Sequence, residues 1–366
     1  MVSNGSIFSR FDHPLQLLKR KQGILPSRKG KTLKLCHVLI KYGCRGDLAY
    51  SRRSAREREL LDAEHCIMAE EQTAELRRDL YLLRFKDFNF IRSMVNPEFL
   101  EIMEDFEIRD NDIFIATYPK SGTVWTQQVV NLILYDEHRN GMQNLENIER
   151  APWIEYNMRK ANYTLLPSPR VFSTHLPYNL LPKGVQSQKV KVIYVYRNPK
   201  DVMTSFYHFS KLLTKLQTSD TMEDFMERFL AGDVFANLWF DHIKGWYSHK
   251  NNFNILFLSY EEMKKDLRNA VLKISKFLGK KLTDEDVESV VKQATFENMK
   301  NDPRANYDAI TRELGRTHEQ DFLRKGIIGD WKNCLTVSQS ERFDKVFQEQ
   351  MKDLPLKFIW DMNEDL

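Results

Sequence analysis

From Asp112 onward, short apolar runs alternate with longer amphipathic segments. The short runs, at 113–116, 170–173, 192–196 and 255–258, are rich in β-branched and aromatic residues and too short for helices, so they read as strands. Segments with helical spacing fall at 122–134, 201–213, 222–230, 261–278, 284–293 and 338–351. This alternation predicts an α/β fold: a single domain with a central parallel β-sheet flanked by helices. No internal repeat and no low-complexity tract interrupts it.

Composition narrows the class. The chain has 366 residues, 42% hydrophobic and 29% charged, which supports a sizeable core and excludes disorder throughout. No stretch approaches the roughly 18 uninterrupted apolar residues of a membrane-spanning helix. Even Val129 to Leu134 is soon followed by Asp136, Glu137, His138 and Arg139, so a soluble chain without a membrane partner is expected.

The formal charge of +4 hides an asymmetry, because residues 1–60 carry fourteen Lys and Arg against four acids, leaving the remainder net acidic. Residues 1–67 lack periodicity, are broken by Pro and Gly, and read as a basic, disordered extension. Met68 is a candidate functional start. Because the positive excess is terminal, nucleic acid is not an expected partner. Cys36, Cys44 and Cys66 lie near the N-terminus and Cys334 alone in the body, with no CxxC pair and no metal-ligand spacing. Neither a disulfide scaffold nor a metal site is expected, and the cytoplasm is the expected compartment.

Three segments carry chemistry. In Asp112-Ile-Phe-Ile-Ala-Thr-Tyr-Pro-Lys-Ser-Gly-Thr-Val-Trp125 a strand runs through a Pro/Ser/Gly turn into a helix, which aims unpaired N–H groups and the helix dipole at one point. Lys120 adds a charge, Ser121, Thr123 and Thr126 add hydroxyls, and Gly122 permits close approach. The order is not GxxxxGK[ST], which opposes a nucleotide triphosphatase. A plain strand-to-helix turn with a surface lysine is the simpler alternative.

At the end of the strand at 192–196, Arg197 precedes Asn198-Pro199, which opens a helix carrying Ser205. Taken alone, Arg197 reads equally as a salt-bridge residue. Phe322-Leu-Arg-Lys-Gly-Ile-Ile-Gly-Asp-Trp-Lys332 joins cations, glycines and an indole, either a nest for a dianion or a solvated basic loop. Together the three segments suggest a nucleotide with phosphates at both ends.

With these motifs in this order, the chain resembles the cytosolic sulfotransferases over roughly residues 77–366, and within them most resembles the amine-preferring branch. The resemblance implies a P-loop-like sulfotransferase fold and 3′-phosphoadenosine-5′-phosphosulfate (PAPS) as donor, without a metal. By the family's pattern Lys120, Ser121, Gly122, Thr123, Val124 and Trp125 hold the 5′ side, and Arg197, Ser205, Arg324, Lys325 and Gly326 the 3′-phosphate. Tyr260, Ala294, Thr295, Phe296 and Met299 surround the adenine, and Phe322 and Leu323 complete the donor site.

His175 takes the position of the catalytic base, with Lys120 and Ser205 beside it, and Ser173, Thr174, His175 and Phe209 meet the acceptor. Many phenol-sulfating members carry Lys where this chain has Ser173, which weighs against a phenol specialist. A small lipophilic acceptor, amine or hydroxyl, is implied, its pocket drawn from Phe88, Phe90, Trp153, Tyr156, Phe206, Tyr207, Phe209, Trp239 and Phe240, many of them core. Lys332, Thr336, Val337 and Glu341 match the family's KxxxTVxxxE motif and imply a homodimer. The alternatives are an inactive PAPS-binding module and a member restricted to phenols, alcohols or steroids.

Overall fold

The computed structural model describes residues 80–134, 144–157, 160–187, 189–317 and 321–364, so the expected basic extension lies outside the described residues. Its first strands, β1 (Leu82–Phe85) and β2 (Phe88–Ile91), form an antiparallel hairpin that the sequence pattern does not announce. Lys86 and Asp87 make its turn at φ of 46° and 60°, without the glycine that usually marks such a turn.

The central sheet follows the expected strands to within a residue or two. β3 (Ile113–Thr117), β4 (Val171–Thr174), β5 (Lys191–Tyr196) and β6 (Asn254–Ser259) run parallel in the order β4-β3-β5-β6. Alternate residues feed two cores. Phe114, Ala116, Val192 and Tyr194 enter one, and Ile113, Ile115, Ile193 and Val195 the other. Burial on both faces is what lets these strands be continuously apolar. A fully buried ion pair aligns β3 with β4: Arg170 Nε and Nη2 donate to Asp112 Oδ1 and Oδ2 at 2.9 and 2.5 Å.

Besides short helices at Pro97–Ile102 and Asn147–Arg150, which were not expected, the described helices are α1 (Thr123–Leu134), α2 (Pro199–Leu212), α3 (Met222–Ala231), α4 (Trp239–Ser248), α5 (Tyr260–Lys265), α6 (Leu267–Leu278), α7 (Asp284–Gln293), α8 (Phe296–Asn301), α9 (Asp308–Glu313) and α10 (Val337–Met351). The single helix expected over 261–278 is two, because Asp266 leaves helical geometry and caps α6 by accepting the Asn269 N–H at 2.9 Å. Helices α4, α8 and α9 were not expected. Among the described residues no helix is long and apolar enough to cross a membrane.

Because the four strands are parallel, Thr117, Thr174, Tyr196 and Ser259 end at one edge. The residues that follow them there are the Tyr118-Pro-Lys120 turn, His175, Arg197 and Tyr260. In sheets of this kind the carboxyl edge is where ligands bind.

Candidate active site

A cleft opens at that edge, lined by residues from all three motifs together with His175. Its centre is the turn from β3 to α1. Lys120 has φ of 69° and Gly122 of 105°, both in the left-handed region. A Cβ on Gly122 would stand 2.8 Å from the Tyr260 ring, so conformation and close approach both demand glycine. Thr123 and Thr126 satisfy their hydroxyls internally, on Thr117 Oγ1 at 2.6 Å and Gly122 O at 3.0 Å. Ser121 Oγ is buried with no partner in the structure.

The Lys120 ammonium lies 4.2 Å from the Phe209 ring centroid and 4.3 Å from that of Phe322, between two aromatic faces. Burial, then the neighbouring Arg197 and Arg324, push its pKa down to about 7.

Arg197 stacks on Tyr260 at 4.2 Å and donates to Lys120 O and Ile327 O, which ties β5 to the turn and to the C-terminal loop. Asp330 accepts from both Arg324 Nη2 and Lys325 Nζ at 2.6 Å, and this holds its carboxyl down at about 2, against the effect of its burial. Asp201 grips the same loop from α2, accepting the Gly329 and Trp331 N–H groups. Gly326 has φ of 64°, and a Cβ there would fall 2.3 Å from the Phe296 ring, so the loop lies directly on that ring.

The Nε atoms of Arg197 and Arg324 are buried without partners, as is Ser121 Oγ. Orphaned donors, clustered cations and two glycine cradles fit a polyanionic nucleotide. The flat walls for its base are Trp125, Tyr260 and Phe296. Trp125 Nε1 donates to Ala294 O at 2.7 Å, fixing the indole.

His175 follows β4. Its Nδ1 lies 2.8 Å from Thr117 O, and a carbonyl only accepts, so Nδ1 carries the proton and Nε2 is left as acceptor. The ring is flanked by Trp153 at 4.4 Å and Phe235 at 5.6 Å. Burial pushes its pKa down to about 3, against the Thr117 hydrogen bond, so the imidazole is neutral.

Most expected residues meet here: Lys120, Gly122, Thr123, Val124, Trp125, His175, Arg197, Ser205, Phe209, Tyr260, Phe296, Met299 and Phe322 through Gly326 all line the cleft. Ser121, Ala294 and Thr295 adjoin these residues in sequence but are not among those that line the cleft. Ser173 and Thr174 do not reach it either, contrary to expectation. Ser173 Oγ bonds Gln127 Nε2 and Ala151 O inside the sheet, and Thr174 Oγ1 accepts the Leu176 N–H. Of the aromatics proposed for an acceptor pocket, Trp153, Tyr156 and Phe209 line the cleft, whereas Phe88, Phe90, Phe206, Trp239 and Phe240 are core, and Tyr207 packs half-buried against that core with its hydroxyl donating to Asp220 O.

Sequence reasoning missed Phe235, Tyr307, Ile310, Leu314 and Lys264. Lys264 was legible as the residue one turn after Tyr260, while Tyr307, at φ of 66° and stacked on Phe322 at 5.3 Å, carried no local signal. Of the expected dimer residues, Thr336 caps α10 and Val337 is 76% exposed.

The model of the sulfotransferase domain matches residues 110–355. Rabbit amine sulfotransferase is 58% identical over 287 residues, covering 78% of this chain and 95% of its own. Mouse sulfotransferase 2B1 is 44% identical, covering 77% and 83%. A crystal structure of a mouse sulfotransferase complexed with PAP superposes with a TM-score of 0.64 at 32% identity, covering 75% of this chain and 95% of that one. One of retinol dehydratase with androsterone and inactive cofactor PAP gives 0.65 at 26%, covering 74% and 89%. A parallel sheet whose carboxyl edge gathers a lysine turn, a neutral histidine and a glycine-arginine loop, matched over this span, places the chain in the sulfotransferase family.

Proposed function

We propose that this enzyme moves the sulfonate group of PAPS to the neutral amine or hydroxyl of a small lipophilic acceptor, with His175 as general base. The observation that carries this reading is the His175 tautomer: with Nδ1–H given to Thr117 O, Nε2 has its lone pair available in the cleft that holds Lys120.

Lys120, Gly122 and the start of α1 would hold the 5′ side of the donor, and Arg197, Ser205, Arg324 and Lys325 its 3′-phosphate, with Trp125, Tyr260 and Phe296 around the base. The donor supplies the sulfonate and a good leaving group. His175 Nε2 takes the proton from the attacking nitrogen or oxygen. Lys120 offsets the charge that grows on the oxygen linking sulfur to phosphate.

The acceptor wall, with Ile91, Met94, Trp153, Tyr156, Phe235 and Leu314, is apolar. Among the described residues, the charged side chains lining the cleft are Lys or Arg, with no Asp or Glu, so an ammonium is repelled and an amine enters as its neutral form. The similarity to rabbit amine sulfotransferase supports amines as the acceptor class. Residues 77–366 form the catalytic domain in this reading, acting in the cytoplasm as a homodimer through Lys332, Thr336, Val337 and Glu341.

The test is transfer of labelled sulfonate from PAPS to a panel of amines, phenols, alcohols and steroids, with PAP binding measured in parallel. Amine products are expected, with His175→Ala binding PAP but not turning over. Normal turnover by His175→Ala would overturn the base assignment.

A further inference from the structure

The segment that carries His175 is moulded by α4. His242 and Trp246 stand one turn apart on the buried side of that helix and hydrogen-bond to consecutive carbonyls after β4. His242 Nε2 reaches His175 O at 3.1 Å, and Trp246 Nε1 donates to Leu176 O at 3.2 Å. Since a carbonyl only accepts, the His242 proton is on Nε2 and its Nδ1 must accept. Tyr194 of β5 supplies that donor, its hydroxyl 2.9 Å away.

Tyr194, His242 and Trp246 are 1%, 3% and 0% exposed, so no water competes for these bonds. Burial also pushes the His242 pKa down to about 4, which keeps the ring neutral and the tautomer single. From the opposite side, Glu155 Oε1 accepts the His175 N–H at 2.7 Å. The His175 backbone is thus fixed at both its polar atoms, and Thr117 O fixes the ring. Neither Tyr194 nor His242 lines the cleft, so neither can touch a substrate.

We propose that the buried Tyr194–His242 pair is a positioning device for the base: it sets the His175 peptide so that imidazole Nε2 stands where the acceptor's proton must leave. This rests on His175 being the base. A misplacement of about 1 Å at a reacting group costs on the order of 100-fold in rate, which is the scale on which such a device acts.

The test uses the full chain with three variants. His242→Leu removes the bond to His175 O, Tyr194→Phe leaves His242 Nδ1 unpartnered, and His242→Gln keeps a donor where Nε2 was. The first two are expected to bind PAP as the parent does, to leave the acceptor KM within about twofold, and to lose kcat by about 10- to 100-fold. His242→Gln is expected to recover most of it. The imidazole ¹⁵N shifts of His175, read without turnover, should show one Nδ1–H tautomer in the parent and in His242→Gln, and a mixture in His242→Leu. Should His242→Leu not fold, Tyr194→Phe carries the test. Undiminished kcat with an unchanged His175 tautomer, beside an inactive His175→Ala, would sink this inference alone. An active His175→Ala would take down the base assignment and this inference together.

Discussion

Lys120 is a cation held without a counter-ion among the described residues, between two phenyl rings and near two arginines, and its behaviour toward protons follows. With a pKa of about 7 it is mostly neutral at pH 8, and a bound phosphate raises that value, so binding at pH 8 must take up a proton. At pH 6 the lysine is already charged and uptake vanishes. Titration calorimetry of PAP in two buffers of different ionisation enthalpy should show this difference, and Lys120→Met should abolish it. Gly326 is constrained from another direction. An alanine there meets the Phe296 ring and a left-handed backbone that costs L-residues roughly 1–2 kcal/mol. If the loop moves aside to relieve this, PAP affinity should fall about tenfold while the fold persists, as equilibrium binding beside a melting curve would show.

At the level of elements, caps decide what periodicity alone does not. The hydrophobic stripe runs from α5 into α6 with little phase change, so 261–278 reads as one helix until the Asp266 side chain takes the Asn269 N–H and starts a second. Asp266→Ala should cost about 1 kcal/mol, lowering Tm by roughly 2 °C without touching the PAP dissociation constant. The four strands of the central sheet were legible because each is a short, β-branched or aromatic apolar run, and so were the cations and glycines at their carboxyl ends, whereas the β1–β2 hairpin was not. Helix α4 was not, although Trp239, Phe240, Ile243 and Trp246 have helical spacing. It has no side-chain cap, contains Gly245, and is rich in aromatics that favour strands. The burial of Ser173 was equally hidden, since the partner that satisfies its hydroxyl, Gln127, comes from α1, far along the chain. Phe235 and Tyr307 reach the cleft from loops, where neither periodicity nor motif marks them.

For the whole molecule, a cleft lined among the described residues by cations and no carboxylate ties rate to the protonation of the acceptor. His175 in the free enzyme is neutral throughout the working range, so the acid limb of the pH profile should belong to the amine. Profiles of kcat/KM for two amines of different basicity should have acid limbs displaced by the difference between the amines' own pKa values, whereas coincident limbs would assign the limb to the enzyme. The turn at Lys120 has one more consequence. A non-glycine residue at φ of 69° and an uncompensated buried charge both work against folding, so this position is held against the fold's own preference. Lys120→Gly should therefore melt higher than the parent while losing all sulfonate transfer. Selection for stability alone would erase this residue, and its persistence in a lineage would measure how strongly catalysis is being maintained.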